Sequence, residues 1–303
     1  MKNSVRESIK RFVPKELRYR LKNIYRNLKT FKARKAFDAA VESPEWLDSE
    51  MLEYLQDKYS YPPASSYTLQ DRKKAADERV AAIFNTIGSE APKINRFLDL
   101  GCSEGLVCAA LERCGKFAVG IDLTALFVEG PDRNAAFFSR MDASRLAFTD
   151  GSFDFIFSFA SFEHFNDPRA VIEECIRIVR PGGYIYLHFG PLYLSHYGLH
   201  AYRSITIPYC QCLFDKEALI IFCEKKGLKP PAFDSLNQWT LENFRSLWKA
   251  YPSKLRRVRY YEYINTDHVD LITSYPYCFK SKTQYFHNLI VPEIEVLFQK
   301  TAC

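Results

Sequence analysis

An apolar run that closes on an acid and then bends through small residues, Arg96-Phe97-Leu98-Asp99-Leu100-Gly101-Cys102-Ser103-Glu104-Gly105, constrains this chain more than any other stretch. A buried strand of this kind delivers Asp99 to the carboxyl edge of a sheet. Gly101 and Gly105 let the backbone approach a ligand where a Cβ would collide, and the helix that opens after them exposes unpaired amides. Such a bend suits a nucleotide-like cofactor, although Ser103 stands where a dinucleotide fingerprint places its second glycine.

The next ninety residues repeat the pattern. Phe117-Ala118-Val119-Gly120-Ile121-Asp122 closes on an acid about twenty residues after the bend, where this architecture sets a carboxylate against a ribose diol, and Leu123 follows it. Ala136-Phe137-Phe138 leads to Met141-Asp142-Ala143, a third strand ending on an acid. A fourth strand, Phe153-Asp154-Phe155-Ile156-Phe157-Ser158-Phe159, runs into Glu163-His164-Phe165-Asn166-Asp167-Pro168. Val171, Ile172, Cys175, Ile176 and Val179 then recur at helical spacing until Arg180-Pro181-Gly182-Gly183 stops them, and Tyr184 to Phe189 makes a fifth strand. Strands alternating with helices through short links imply a parallel sheet covered on both faces. The alternating phenylalanines of strand four read mostly as packing, with only the last one or two positions able to reach a ligand.

Taken in order, these motifs resemble the core of class I S-adenosylmethionine-dependent methyltransferases over residues 96–190. The resemblance implies an α/β, Rossmann-like, mostly parallel seven-stranded sheet with helices on both faces, an antiparallel last strand, a helical N-terminal extension and an insertion before the last strand. It implies S-adenosyl-L-methionine as cofactor. Asp99, Gly101 and the backbone around Cys102 and Ser103 would hold the methionine end, Asp122 the ribose hydroxyls; Asp142 and Ala143 would border the adenine, Ser158 and Phe159 would face the sulfonium, and Gly105 and Leu123 complete the expected cofactor site. A nicotinamide-binding Rossmann domain is the competing reading. It would prefer a second glycine in the bend and gives no reason for Glu163-His164 after strand four.

Beyond the fifth strand, Gly190-Pro191-Leu192-Tyr193-Leu194-Ser195-His196-Tyr197-Gly198-Leu199-His200 places histidines and tyrosines past the carboxyl end of a strand, where open α/β sheets bind ligands. An oxygen nucleophile must lose a proton, and imidazole titrates near neutrality, so His164, His196 and His200 are the catalytic candidates, with Glu163 as orienter or alternative base. For each histidine the competing view is a hydrogen bond that merely holds the loop. The expected reaction is methyl transfer to an oxygen of a small molecule, a sugar or glycolipid precursor. Nitrogen methylation of a small metabolite and a non-catalytic cofactor-binding protein recruited through its basic helix are the alternatives.

Charge is distributed unevenly. Residues 1–36 hold thirteen Lys or Arg against two Glu, which leaves 29 basic and 34 acidic side chains elsewhere. Val5, Ile9, Phe12, Leu17, Leu21, Ile24, Leu28 and Phe31 set an apolar stripe opposite that cationic face, with Pro14 interrupting it. The stripe suits an anionic membrane surface, each nearby cation adding about 1 kcal/mol, or equally packing on its own domain or a twin subunit; nucleic acid is a third and weaker reading. The expected organisation is a basic helical arm (1–43), a helical lid or prop (44–95) and the methyltransferase domain (96–303), with residues 235–280 inserted as an aromatic, arginine-bearing stretch and Ile294 to Lys300 as an edge strand. Nine cysteines with no Cys-x-x-Cys pair read as reduced thiols in a cytoplasmic enzyme, at most peripheral at the inner membrane face. Cys210-Gln211-Cys212 is too closely spaced for a good zinc half-site, and no metal site is read from the sequence.

Overall fold

The computed structural model describes residues 24, 30–42, 46–59, 68–124 and 137–302. Seven strands form one sheet: β1 (Arg96–Leu100), β2 (Phe117–Asp122), β3 (Phe137–Arg140), β4 (Phe153–Phe159), β5 (Val179–Phe189), β6 (Leu255–Tyr263) and β7 (Glu293–Lys300). Their spatial order is β3-β2-β1-β4-β5-β7-β6. The first five strands run parallel, and β7 lies antiparallel between β5 and β6. The order reverses between β1 and β4, which opens a crevice beyond the end of β1.

Helices α1 (Phe31–Ala39), α2 (Ser49–Lys58), α3 (Leu69–Ile87) and α4 (Leu106–Arg113) precede or follow β1, and α5 (Pro168–Ile178) crosses from β4 to β5. Then come α6 (Cys210–Leu213), α7 (Lys216–Lys225), α8 (Leu241–Leu247), α9 (Val269–Ser274), α10 (Pro276–Lys280) and α11 (His287–Ile290). Because strand side chains alternate, each central strand feeds two cores. Phe97, Phe155 and Phe157 pack with Val80 and Ile83 of α3 and Val107 and Leu111 of α4. Leu98, Ile156, Ile185 and Leu187 pack on the other face with Val171 and Cys175 of α5 and Phe244 of α8. Phe155 and Phe157 have no exposed surface, so each contributes about 1.5–3 kcal/mol by burial.

Local signals set the helix ends. Thr68 and Asp71 form a reciprocal capping box at the start of α3, and the Asp167 carboxylate accepts the amides of Arg169 and Ala170 to open α5. Asp215 caps α7 through the amide of Ala218, and Gly227 adopts φ +65° just past its end, as expected from sequence.

A third core lies off the sheet. Phe37 of α1 and Leu52 and Leu55 of α2 pack with Leu199, Tyr209, Leu219, Ile272 and Phe279, so chain before the sheet and chain after β5 make one helical cap. The Leu47 amide donates to the Leu213 carbonyl at 2.7 Å, and the Gln56 side chain accepts from the Thr206 amide at 3.1 Å.

Three expectations change. Residues 235–280 do not only add helices: they contain β6, the outermost strand of the sheet. That places β7 inside the sheet with Ile294, Val296 and Phe298 fully or almost fully buried, where an edge strand was expected. In the basic arm, Ile24 and Phe31 of the apolar stripe are exposed, and α1 turns Ala33 and Phe37 inward instead. Val5, Ile9, Phe12, Pro14, Leu17, Leu21 and Leu28 lie outside the described residues. No helix among the described residues is long and apolar enough to cross a membrane.

Candidate active site

Two cavities meet at the crevice, sharing Gly101 and Ser161. The first, about 280 Å³, is enclosed by the β1 bend, the end of β4 and α3. Asp99 is its anionic floor, only 3% exposed. The Cys108 thiol points at its carboxylate from 4.0 Å. Burial pushes the Asp99 carboxyl up to about 7; Arg79 pulls it down and Asp122 adds a smaller upward push. Arg79 supplies the cationic side, its guanidinium 5.1 Å from the Phe159 ring centroid. Arg72 lies beside it, paired with Glu104.

The bend itself is held by backbone geometry. Gly101 and Gly105 have φ of +73° and +81°, and Ser103 takes the same left-handed region at +51°. A Cβ on Gly101 would come 2.6 Å from Ser161, and one on Gly105 would come 2.1 Å from the Phe138 ring. The glycines are therefore demanded by these two neighbours as well as by φ. Gly105 lines neither cavity and acts as the N-cap of α4, which corrects its expected place at the ligand.

The second cavity, about 290 Å³, runs past the tips of β2 and β3. The Asp122 carboxylate accepts the Ser103 amide at 2.8 Å through one oxygen, and the Thr124 amide and hydroxyl through the other. The oxygen that accepts from Ser103 keeps a further lone pair for a ligand hydroxyl, while the two Thr124 donors fill the other. Leu123, Met141, Asp142 and Ala143 continue the wall, and Asp142 holds its own turn by accepting from the Ser144 amide and hydroxyl at 2.8 Å.

Ser158, expected at the sulfonium, is fully buried and donates to the Leu100 carbonyl at 2.8 Å, a tie between β4 and β1. It lines neither cavity. Ala160 and Ser161 line the first cavity instead, because the strand ends at Phe159 and the chain turns there, Ala160 at φ +49°. The Ser161 hydroxyl donates toward the Gly101 and Phe159 carbonyls at 3.0 and 3.1 Å. Cys102, Ser103 and Phe159 line the first cavity.

The three candidate histidines separate. His164 lines the second cavity and stands 5.1 Å, ring to ring, from His200. Glu163 joins them, so that one donor atom from each of Glu163, His164 and His200 lies within 4.8 Å of the others. Glu163 is 2% exposed, and neither of its carboxylate oxygens has a hydrogen-bond partner of acceptable geometry. Burial drives its carboxyl up to about 8, against a weaker opposing pull from the amides of Glu163 and Gly190. Burial, with His164 close by, also lowers the His200 imidazole below its usual range.

His196 belongs elsewhere. It is buried against Tyr197, Tyr209 and His268 in the cap, and desolvation, with His268 adding to it, brings its pKa down to about 4. It stays neutral there and lies outside the Glu163–His164–His200 group.

Sequence reasoning missed Arg72 and Arg79. They stand seven positions apart, hence on one face of α3, and that spacing on the helix before β1 was the available signal.

A strand-end acid, a glycine bend, a second acid at the neighbouring strand tip and a crevice at the switch point are now together in space, and the family described as a methyltransferase domain matches residues 98–187. Residues 98–187 thus resemble a methyltransferase domain. Across 108 residues the chain is 32% identical to the ubiquinone biosynthesis O-methyltransferase of Ralstonia nicotianae, covering 33% of this chain and 45% of that relative. Across 131 residues it is 30% identical to the ubiquinone biosynthesis O-methyltransferase of Brucella ovis, covering 40% of this chain and 52% of that one. The chain therefore spans about half the length of these curated relatives. Among solved structures, a protein of Pyrococcus horikoshii OT3 aligns with a TM-score of 0.49 at 18% identity over 81% of this chain and 99% of its own.

S-adenosylmethionine, the methyl donor of this family, fits the residues that the methyltransferase domain and α3 bring together. The donor's methionine end carries an ammonium and a carboxylate, and the first cavity offers Asp99 for the one and Arg79 for the other. A buried carboxylate without a charged hydrogen-bond partner is costly until a cation meets it. Asp122 remains able to accept from a ribose hydroxyl, and Leu123, Met141 and Ala143 give the apolar wall that a base requires. The sulfonium would lie where the cavities join, at Gly101 and Ser161.

Proposed function

We propose that this chain transfers a methyl group from S-adenosylmethionine to an oxygen of a small-molecule acceptor, with a sugar or glycolipid-precursor hydroxyl as the acceptor. The observation that carries the reading is the junction: a cavity lined by Asp99 and Arg79 and one lined by Asp122 meet at Gly101 and Ser161, and His164, next to Glu163 and His200, lines the second. Glu163 and His164 follow Ser161 on the short helical turn Phe162–His164, so the polar cluster is tied to the junction by three residues of chain.

In the proposed reaction the acceptor oxygen attacks the donor methyl as the carbon–sulfur bond breaks. The sulfonium leaves as a neutral thioether, and the hydroxyl proton is surrendered at the Glu163–His164–His200 cluster. Holding the two partners in line supplies much of the acceleration, because it removes the entropy of bringing them together. The oxygen preference is supported by the O-methyltransferase names of the relatives.

The test is formation of S-adenosylhomocysteine by the purified full chain with S-adenosylmethionine and panels of sugar, glycolipid-precursor, phenolic and amine acceptors. Turnover with hydroxyl acceptors, lost in Glu163→Gln or His200→Ala, is the expected result. Turnover confined to amines would refute the oxygen assignment.

A further inference from the structure

We propose that the open sheet face beyond Phe159, formed by His188, Tyr261, Tyr263 and Glu293, is the acceptor subsite and takes a neutral sugar ring. Its role depends on the methyl-transfer reading of the neighbouring crevice, and the site itself on this face alone.

Strand register builds the face. Phe159 stands opposite His188, His188 opposite Glu295, and Glu295 opposite Tyr261, one row across β4, β5, β7 and β6 at the carboxyl end of the parallel strands. Two residues further out, Tyr263 opposes Glu293 on the same face. The row beneath, Tyr186 and Leu297, is sealed in the core with Val80 and Ile83 of α3. The outer rows are open: the side chains of His188 and Glu293 are 33% and 49% exposed. Phe159 and Ala160 line the first cavity, and the Ala160 amide donates to the His188 carbonyl at 2.9 Å, so the face adjoins that cavity.

Its side chains are fixed and chemically specific. Arg259 and the Tyr263 hydroxyl donate to Glu295; burial pushes that carboxyl up, but these bonds outweigh it and hold it below the usual carboxylate range. Glu295 is thereby an anchor, and the Tyr263 ring is set 5.6 Å from that of His188, which has Phe159 at 6.4 Å. Glu293 lies across Gly190, where an added Cβ would come 3.0 Å from its Cγ, and its Oε2 is 3.4 Å from His188 Nε2. Aromatic rings with a carboxylate and an imidazole at their rim match a sugar, whose C–H faces pack on rings and whose hydroxyls donate to such acceptors. A carboxylate also raises the cost of ionising an acceptor beside it, which disfavours a phenol and suits an aliphatic hydroxyl that stays neutral until it attacks. Glu293 is close enough to Glu163 for its charge to add to the upward push on that carboxyl, so a ring held here borders both the donor cavity and the cluster that takes the proton.

The experiment follows methyl glycosides of glucose, galactose, mannose and rhamnose, with catechol for comparison, by saturation-transfer NMR on the full chain with and without S-adenosylhomocysteine. The expected result is saturation of the ring protons of at least one glycoside, with affinity at least ~10-fold weaker in Glu293→Gln and in His188→Ala. S-adenosylhomocysteine binding, measured by calorimetry in the same samples, reports on folding and on the donor site, and both variants should retain it. A parent that binds S-adenosylhomocysteine but no glycoside, whether or not it binds catechol, overturns the proposal. Glycoside affinity unchanged in both variants overturns it equally. A parent that binds a glycoside, with the loss expected in both variants, but not S-adenosylhomocysteine supports the sugar site and refutes the methyl-transfer reading on which its role depends.

Discussion

Asp99→Asn should strengthen the unliganded protein and weaken its hold on the donor. In the folded state burial pushes the Asp99 carboxyl from 3.8 to about 7, and each tenfold change in its proton affinity corresponds to ~1.4 kcal/mol. An acid whose folded pKa lies above its unfolded value takes up a proton on folding. Its penalty is therefore absent below about pH 4, grows between pH 4 and 7, and is constant above that, at an upper limit of about 4 kcal/mol. An amide removes the charge but keeps a buried polar group whose own cost is about 1–3 kcal/mol. The net gain at pH 8 is then roughly 1–3 kcal/mol, shrinking toward pH 4.5. Urea unfolding of parent and variant at pH 8 and pH 5 without cofactor measures the first effect. Calorimetry with S-adenosylmethionine measures the second, an expected loss of about 100-fold from removing a buried charge-assisted contact. At pH 7 the parent should also release a fraction of a proton on binding, visible as a dependence of the heat on buffer ionisation. A variant that is less stable than the parent at pH 8, or that binds the donor equally well, refutes the reasoning.

Arg79→Ala should weaken S-adenosylmethionine and S-adenosylhomocysteine alike by about 10–100-fold in calorimetry, since both share the carboxylate that Arg79 would meet. Ser158→Ala should lower stability by about 1–2 kcal/mol in urea unfolding, through loss of the hydroxyl bond to the Leu100 carbonyl, and leave donor affinity within twofold. His196→Ala should reduce stability by opening the cap core yet leave turnover per folded molecule unchanged; a large fall in kcat with normal folding would return His196 to the reaction.

Where sequence and structure agree, the reason is local. Strands β1, β2 and β4 are short apolar runs, and the acids Asp99 and Asp122 stand at or next to the ends of β1 and β2, all of it visible within a few residues of chain. The candidate donor site was legible for that reason. What was not legible depends on chain segments far apart in sequence. Ser158 reads as a strand-end residue, but whether it meets ligand or core is decided by the register of β4 against β1, which aims its hydroxyl at Leu100. β6 hides inside an aromatic, basic stretch because an edge strand has one open side, and Arg256, Arg257 and Val258 on it are exposed. β7 looks like an edge from its own alternation and becomes internal only because β6 lies outside it. The partnership of Glu163 and His164 with His200, and the exclusion of His196 only four residues away, follow from the turns at residues 190–200, where His200 itself takes φ +55°.

The central claim is that one donor molecule spans the two cavities, gripped by Asp99 and Arg79 at one end and by Asp122 at the other. Calorimetric titration of the purified chain with S-adenosylhomocysteine tests it most directly, repeated with Asp99→Asn and with Asp122→Ala. The account predicts one site per chain and micromolar affinity, with each substitution weakening it at least ~10-fold. No binding to the parent at millimolar ligand, or binding that neither substitution disturbs, would contradict it.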